Sequence, residues 1–390
     1  MKGNPYLILL ILLLWSCGKE EPEPTPVPSP SEEETPTVPS GTVAGFKRIS
    51  LPLVNPSNGV IPNLAAFYVT NDGPYVQIAR TKTGQEHWSV HKYQGGVGTP
   101  TWSSFDPDFV AINFMPTNFT DEREDEFSIY WCNTQFDTDR YGMYNLNNGS
   151  PSFTYDVPAD DMDDPYRFSQ LIPAKKGFHR LWGIAANDIW AETAVAVPKT
   201  FEKITSIPVD DIYNDFLRVF FADPDDETVL WCASNNRLYE VSTVSASPGG
   251  PKVRYWDFSM LTASGPFTAI IKAKGSLIVQ YGNRVYKQDG ESFSYLGTLN
   301  ISAAAVANIC TNGTTIFASD GTYYDWNSSL WKSFIGSGTN LNSTDAARYS
   351  ELERYCSSGL PIGVLQGSGQ GPVYLLSPTD LIEIYPDFSD

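Results

Sequence analysis

Three histidines, several dense carboxylate runs and two knots of aromatic rings are the side chains of this 390-residue chain with the means to do chemistry. His87 and His91 stand four apart. On a strand, positions i and i+4 share a face, so the two imidazoles could grip one metal ion. A surface pair on a hairpin explains the same spacing without a metal. The runs DEREDE (121–126), PADDMDDP (158–165) and DPDDE (223–227) crowd carboxylates into single loops. Crowded oxygens suit calcium, although none of the runs has EF-hand spacing and solvated turns also account for them. Asp160, Asp161, Asp163 and Asp164 are the set that would hold the ion. Calcium is the one cofactor left open. No HExxH, GxSxG or GxGxxG is present, and no catalytic residue is assigned.

The aromatic knots are Tyr323, Tyr324, Trp326 and Trp331 in one segment, and Trp88, Tyr93 and Trp102 in another. Rings that face solvent stack on sugars or anchor a protein partner, and rings that do not are core. The formal net charge of -19 argues against nucleic acid and anionic lipid, because phosphate binding leans on lysine and arginine. Cys132 and Cys232 sit in apolar "WC" pairs and read as buried filler. Cys310 and Cys356 lie near strand ends or in a loop and are the candidates for a disulfide.

The elements that must position these groups are short strands in pairs. FSIYWCN (127–133) precedes RYGMYNL (140–146), TVLWCAS (228–234) precedes RLYEV (237–241), and SLIVQY (276–281) precedes RVYKQ (284–288). TTIFAS (314–319) with TYYDW (322–326) and PVYLLS (372–377) with DLIEIY (380–385) repeat the scheme. YVQIA (75–79) with HWSVHKY (87–93), and HRLWGIA (179–185) with DIWAETA (188–194), fit it more loosely. The first strand of a pair is nearly all apolar and the second is mixed. Asn, Asp and Gly lie between them, which is hairpin chemistry. A third run often follows, such as SFTYD (152–156), KVRYWDF (252–258), SFSYLG (292–297) and LWKSFI (330–335). Seven units recurring about every 40–50 residues predict an all-β chain, a single β-propeller of seven four-stranded antiparallel blades over residues 43–390. The lone run AGFKRISLPL (44–53) would complete the last blade and close the ring. An insertion near 336–359 carries a short helix capped by Ser343 or Thr344 and is a candidate partner contact.

Two resemblances add to this. LWGIAANDIWAETA (181–194) is similar to a WG-x-x-x-NDIWAVG phrase of bacterial propellers of diverse function, with Glu192-Thr193 in place of Val-Gly. SDGTYYDW (319–326) is faintly similar to a sialidase Asp-box with its Asp and Gly displaced. At the N-terminus, ten apolar residues from Tyr6 to Trp15 follow Lys2, too few to span a membrane but enough for a secretory signal over 1–16. Leu14-Trp15-Ser16-Cys17 resembles a lipobox, which makes Cys17 the lipidated first mature residue. Lys19, Glu20 and Glu21 look like the charged export tag of Bacteroidota surface lipoproteins. Residues 18–41 hold six glutamates, seven prolines and no aromatic residue, so 17–42 reads as an unfolded tether.

The resemblance implies an outer-membrane lipoprotein facing the cell exterior, touching the membrane through its lipid alone. It also implies a non-catalytic subunit of a surface complex for import, assembly or export, with a β-barrel or other surface lipoproteins as partners. A glycan-binding lipoprotein is the alternative, with a propeller hydrolase or lyase behind it.

Overall fold

The computed structural model describes residues 44–52, 63–70, 73–82, 85–94, 101–105, 113–116, 128–133, 140–145, 150–156, 170–173, 181–185, 187–192, 201–207, 217–243, 253–261, 265–300, 307–365 and 371–388. All belong to one compact unit, Thr35–Asp390. The strands group into seven four-stranded antiparallel sheets. Strand β1 (Gly45–Ser50) is held back for the last of them. Sheet one is β2 (Asn63–Thr70), β3 (Gly73–Lys82), β4 (Gln85–Gln94) and β5 (Thr101–Phe105). Sheet two is β6 (Asn113–Pro116), β7 (Ser128–Asn133), β8 (Arg140–Asn145) and β9 (Ser150–Asp156). Sheet three is β10 (Gln170–Pro173), β11 (Leu181–Ala185), β12 (Asp188–Glu192) and β13 (Phe201–Ser206). Sheet four is β14 (Val219–Ala222), β15 (Val229–Ala233), β16 (Arg237–Ser242) and β17 (Val253–Asp257). Sheet five is β18 (Phe267–Ala273), β19 (Ser276–Tyr281), β20 (Arg284–Asp289) and β21 (Ser292–Thr298). Sheet six is β22 (Ile309–Thr311), β23 (Ile316–Ala318), β24 (Thr322–Asp325) and β25 (Leu330–Ser333). Helix α1 (Ser343–Cys356) follows. Sheet seven then takes β26 (Ile362–Val364), β27 (Val373–Leu376) and β28 (Asp380–Tyr385), with β1 outside β28.

Each strand pair read in the sequence falls on the two middle strands of a sheet. The expectation of a closed seven-bladed propeller is corrected. Every sheet is an open unit whose hydrogen-bond ladder ends at its fourth strand, and none closes on itself or runs on into the next. The physical reason is that hairpin signals specify which strands pair. They do not specify how separate sheets are disposed, which side-chain packing decides. The description that stands is an all-β fold of seven open sheets. Strand β1 does pair antiparallel with β28, from Gly45 opposite Tyr385 to Ser50 opposite Asp380.

Between sheets the packing is apolar, and the middle strands explain it. In β15, Leu230 and Cys232 face sheet three while Trp231 and Ala233 face sheet five. A strand covered on both faces has no room for alternation, hence the run VLWCA. Sheets five and six share Ile278, Val285, Ile309 and Ile316. Sheets six and seven share Phe317, Phe334, Leu375 and Ile384 with the underside of α1. Sheets seven and one share Ile49, Val76, Ile78, Tyr374 and Leu381.

Turns carry a recurring clip, Asx-x-Thr, in which one side-chain oxygen accepts from both the amide and the hydroxyl of the threonine. Asp226 holds Thr228 (2.9 and 2.7 Å), Asn312 holds Thr314 (3.0 and 3.0 Å) and Asp320 holds Thr322 (3.1 and 2.5 Å). The last lies in the segment resembling an Asp-box. The β18–β19 hairpin turns on Lys274 (φ 47°) and Gly275 (φ 73°), the pair of left-handed residues that a tight two-residue turn demands. The insertion helix is capped by Asn342 rather than Ser343 or Thr344. Its Oδ1 accepts from the amides of Thr344 and Asp345, both at 3.0 Å. An amide oxygen at that place serves as well as a hydroxyl. Leu352, Tyr355 and Cys356 bury the inner face of α1. Among the described residues no helix is long and apolar enough to cross a membrane.

Candidate functional site

Most of the aromatic residues singled out in the sequence serve packing. Tyr93 and Tyr324 are buried. Tyr324 sits between Trp326 and Trp331, edge-on to both at 4.9 and 5.4 Å. The indole N–H of Trp326 donates to the Thr314 carbonyl (2.8 Å), that of Trp331 to Leu296 (3.1 Å) and that of Trp102 to Ser50 (3.0 Å). Tyr323 packs edge-on to Phe388 at 4.9 Å. Trp331 and Trp102 are tied to backbone carbonyls of a neighbouring sheet and Trp326 to one of its own, so of the two readings open for these rings packing is the one that Tyr93, Trp102, Tyr323, Tyr324, Trp326 and Trp331 follow. Crowding in the sequence marks rings that pack on each other. Trp88 lies in β4, and its side chain is outside the described residues.

His91, read as half of a surface pair, is buried on the face of β4 that also carries Tyr93. The disulfide is corrected too. Cys310 and Cys356 are free thiols in the core between sheets six and seven, where each acts as a small apolar filler. Burial pushes both thiols up, Cys356 to about 12. Asp160, Asp161, Asp163 and Asp164 lie outside the described residues, as do Cys17, Lys19, Glu20 and Glu21. The acidic run at 223–227 is drawn into an ion pair. Lys272 on β18 reaches Asp223 at 2.7 Å and Asp225 at 2.9 Å, and the Trp231 indole donates to Asp223 at 3.3 Å. Among the described residues no group of three or more His, Cys, Asp or Glu side chains is placed to hold a metal ion.

Two polar constellations emerge that the sequence reading missed. The first is buried between sheets seven and one. Glu383, 6% exposed, lies in β28 opposite Lys47 on one side and Tyr374 on the other. The hydroxyls of Tyr374 (3.2 Å) and Tyr93 (3.4 Å) donate to its carboxylate, and Tyr385 adds a third bond. Burial raises the Glu383 carboxyl above its ordinary value, against the pull of these donors and of Lys47. The partners fill the carboxylate's acceptor sites, which makes the cluster a buried joint between the two sheets.

The second lies on the outermost strands β17 and β21. Tyr255 is 61% exposed and Tyr295 is 56% exposed. Each ring is backed by a tyrosine on the preceding strand, Tyr239 at 6.1 Å and Tyr286 at 5.7 Å. The Tyr295 hydroxyl bonds Thr298 at 2.5 Å, and the Arg237 guanidinium sits over the Tyr255 ring at 5.6 Å. Between them Trp256 meets Phe293 edge-on at 5.8 Å and donates to the Glu291 carbonyl at 3.0 Å. Arg254 pairs with Glu240 (2.6 Å) on the neighbouring strand β16 and with Glu291 (3.3 Å) across the seam. Tyr255 projects on the side of sheet four that meets sheet three, Tyr295 toward the seam between sheets four and five, and Trp256 packs within that seam. The signal available in sequence was position: KVRYWDF and SFSYLG are the outermost runs of their units.

No family model matches the chain, and no curated protein matches it. Solved structures do. An oligogalacturonate lyase in complex with manganese superposes with a TM-score of 0.52 at 11% identity, over 90% of this chain and 95% of that one. Hsv2 of Kluyvelomyces marxianus gives 0.43 at 8% identity, over 81% and 89% of the two chains. A functionally unknown protein of Desulfotomaculum acetoxidans gives 0.44 at 9%, over 70% and 86%. At these identities the likeness to the lyase is one of fold alone.

Proposed function

We propose that this chain is a non-catalytic cell-surface lipoprotein, a binding or accessory subunit of an outer-membrane complex. The observation that supports this reading most is where the unfilled polar and aromatic surface lies. Among the described residues, the spaces between sheets three and four, four and five, five and six, six and seven, and seven and one are taken up by apolar cores and by the hydrogen-bonded Glu383 joint. Among the described residues the exposed aromatic rings, Tyr255 and Tyr295, stand on the outermost strands β17 and β21. A rigid stack of sheets that varies only its rim is a scaffold for recognition. The address comes from Cys17 and the acidic tether. Several acyl chains on one residue give stable anchoring where one does not. The partner in this proposal is an outer-membrane β-barrel or a second surface lipoprotein.

Native protein drawn from outer membranes in mild detergent tests it. The expected result is co-purification of a barrel, and loss of sedimentation with the outer membrane in Cys17→Ser. A protein that comes down alone under several mild conditions overturns the complex, and a Cys17→Ser variant that still sediments fully overturns the anchor.

A further inference from the structure

We infer that β1 and α1 form a latch: α1 stays docked while β1 is paired with β28, and peeling β1 from that edge releases the helix. The latch does not depend on the proposed anchor or complex, and its test needs no membrane. Three observations point to it.

The first is how the two elements grip each other. Phe46 and Arg48 stand two apart on β1 and so share a face. Phe46 meets the Tyr355 ring of α1 edge-on, with centroids 6.4 Å apart. The Arg48 guanidinium reaches Glu351 of α1 at 3.7 Å and Asp380 of β28 at 3.5 Å. The Tyr355 hydroxyl donates to the same Glu351 carboxylate at 3.4 Å. Four side chains, two from each element, thus make one closed set of contacts. Beneath them Ala44 and Phe46 are buried in the same apolar cluster as Leu352, Tyr355 and Cys356.

The second is how β1 itself is held. It stands at the end of sheet seven and has a single ladder, with β28, from Gly45 opposite Tyr385 to Ser50 opposite Asp380. The Trp102 indole adds a bond from sheet one, but at the Ser50 end, away from Phe46 and α1. An edge strand with one ladder is the part of a sheet that opens at the lowest free energy. The segment read as a tether leads into Ala44, so tension on it falls first on the Gly45–Tyr385 pair and next on Phe46, the residue that holds the helix.

The third is what α1 keeps without β1. Its Cys356 thiol still lies against Gly321 of sheet six. On the other side Tyr355 loses its ring partner and Glu351 the guanidinium of Arg48. The helix has 14 residues, and helices shorter than about 12–15 residues are marginal in water unless tertiary packing holds them.

Two readouts on the full chain in mild detergent test the coupling. Trypsin reads β1, because Lys47 and Arg48 are cut only once the strand has left its ladder. Alkylation of Cys356 reads α1, because that thiol is buried on its inner face. In the parent both should be slow. Phe46→Ala should speed both together, on the order of a hundredfold. The milder Arg48→Gln should speed both about threefold, with Lys47 left as the tryptic site. Leu352→Ala, which loosens α1, should also speed cleavage within β1. Val241→Ala, in the core between sheets three and four, should change neither rate, and Cys232 of that core should stay unlabelled in the β1 and α1 variants. A Phe46→Ala protein that is cut in β1 while Cys356 stays silent overturns the latch. So does a Leu352→Ala protein that labels at Cys356 while β1 stays uncut. Labelling of Cys232 in step with Cys356, or a Val241→Ala protein that opens both elements, would show unfolding of the whole chain in place of a local release, and overturns it too.

Discussion

Tyr374 donates its hydroxyl to Glu383 at 3.2 Å, directly across the ladder between β27 and β28. With Tyr93 reaching over from sheet one at 3.4 Å, the pair makes a buried polar joint where a hydrophobic residue would have packed. Glu383 is raised by burial first, so the folded state holds its proton to a higher pH than the unfolded chain does. The stability it contributes is present below the ordinary glutamate value and is lost as pH rises through the raised one. The melting temperature should therefore fall across that window in the parent. In Glu383→Gln it should fall less steeply, with neutral-pH stability no worse than the parent's. Thermal melts at closely spaced pH values decide this. Equal slopes in the two proteins would remove Glu383 from the account.

Lys272 and Asp223 make an ion pair at 2.7 Å with both side chains mostly covered. Lys272→Met strands the carboxylate and should cost about 3–5 kcal/mol. Lys272→Met with Asp223→Asn should recover a large part of that loss. Urea denaturation of the four proteins of the cycle measures it. A double variant as unstable as the Lys272→Met single variant would show that the ion pair is not what the single change disrupts.

Gly363 in β26 leaves no space for a side chain. A Cβ there would run into the Cγ2 of Val69 on β2. The strands approach so closely that Gly363→Ala should cost about 1–3 kcal/mol through overpacking. Chemical denaturation should show a lower midpoint with an unchanged slope. An unaltered midpoint would mean that β2 gives way freely.

The buried thiols should be silent. With Cys356 raised to about 12 and Cys310 raised as well, neither forms thiolate at neutral pH. Alkylation followed by peptide mass spectrometry should find both unmodified in native protein and modified in urea. Prompt native labelling of Cys356 would show that α1 opens readily.

How much of this was legible beforehand depends on the range over which each signal acts. Hairpin pairs such as Ser276–Tyr281 with Arg284–Asp289 are local, and apolar runs bounded by Gly and Asn mark them. The burial of Glu383 is not local. DLIEIY reads as alternation with an outward glutamate, yet Tyr93, 290 residues away in sequence, covers that face. The density of Tyr324, Trp326 and Trp331 left surface and core both open in the sequence, and they are dense because they pack on each other. Tyr255 and Tyr295 were passed over because each stands in an ordinary strand, although the place of KVRYWDF and SFSYLG as third runs already marked those strands as outer. The closed ring went wrong for a related reason, since periodicity counts units and carries no information on how they are disposed.

Strand β1 has a consequence for biogenesis. Its partner β28 is made long after it: Arg48 and Asp380, joined in this sheet, are 332 residues apart. A chain made from its N-terminus thus carries an unmatched edge strand until β28 has emerged. Bringing such distant segments together adds only slowly to the entropic cost as the loop lengthens, but it delays the final step. Sheet seven therefore works as a checkpoint: a product that stops short of β28 keeps β1 unpaired and exposed to proteolysis, and only a chain that includes β28 can hide it.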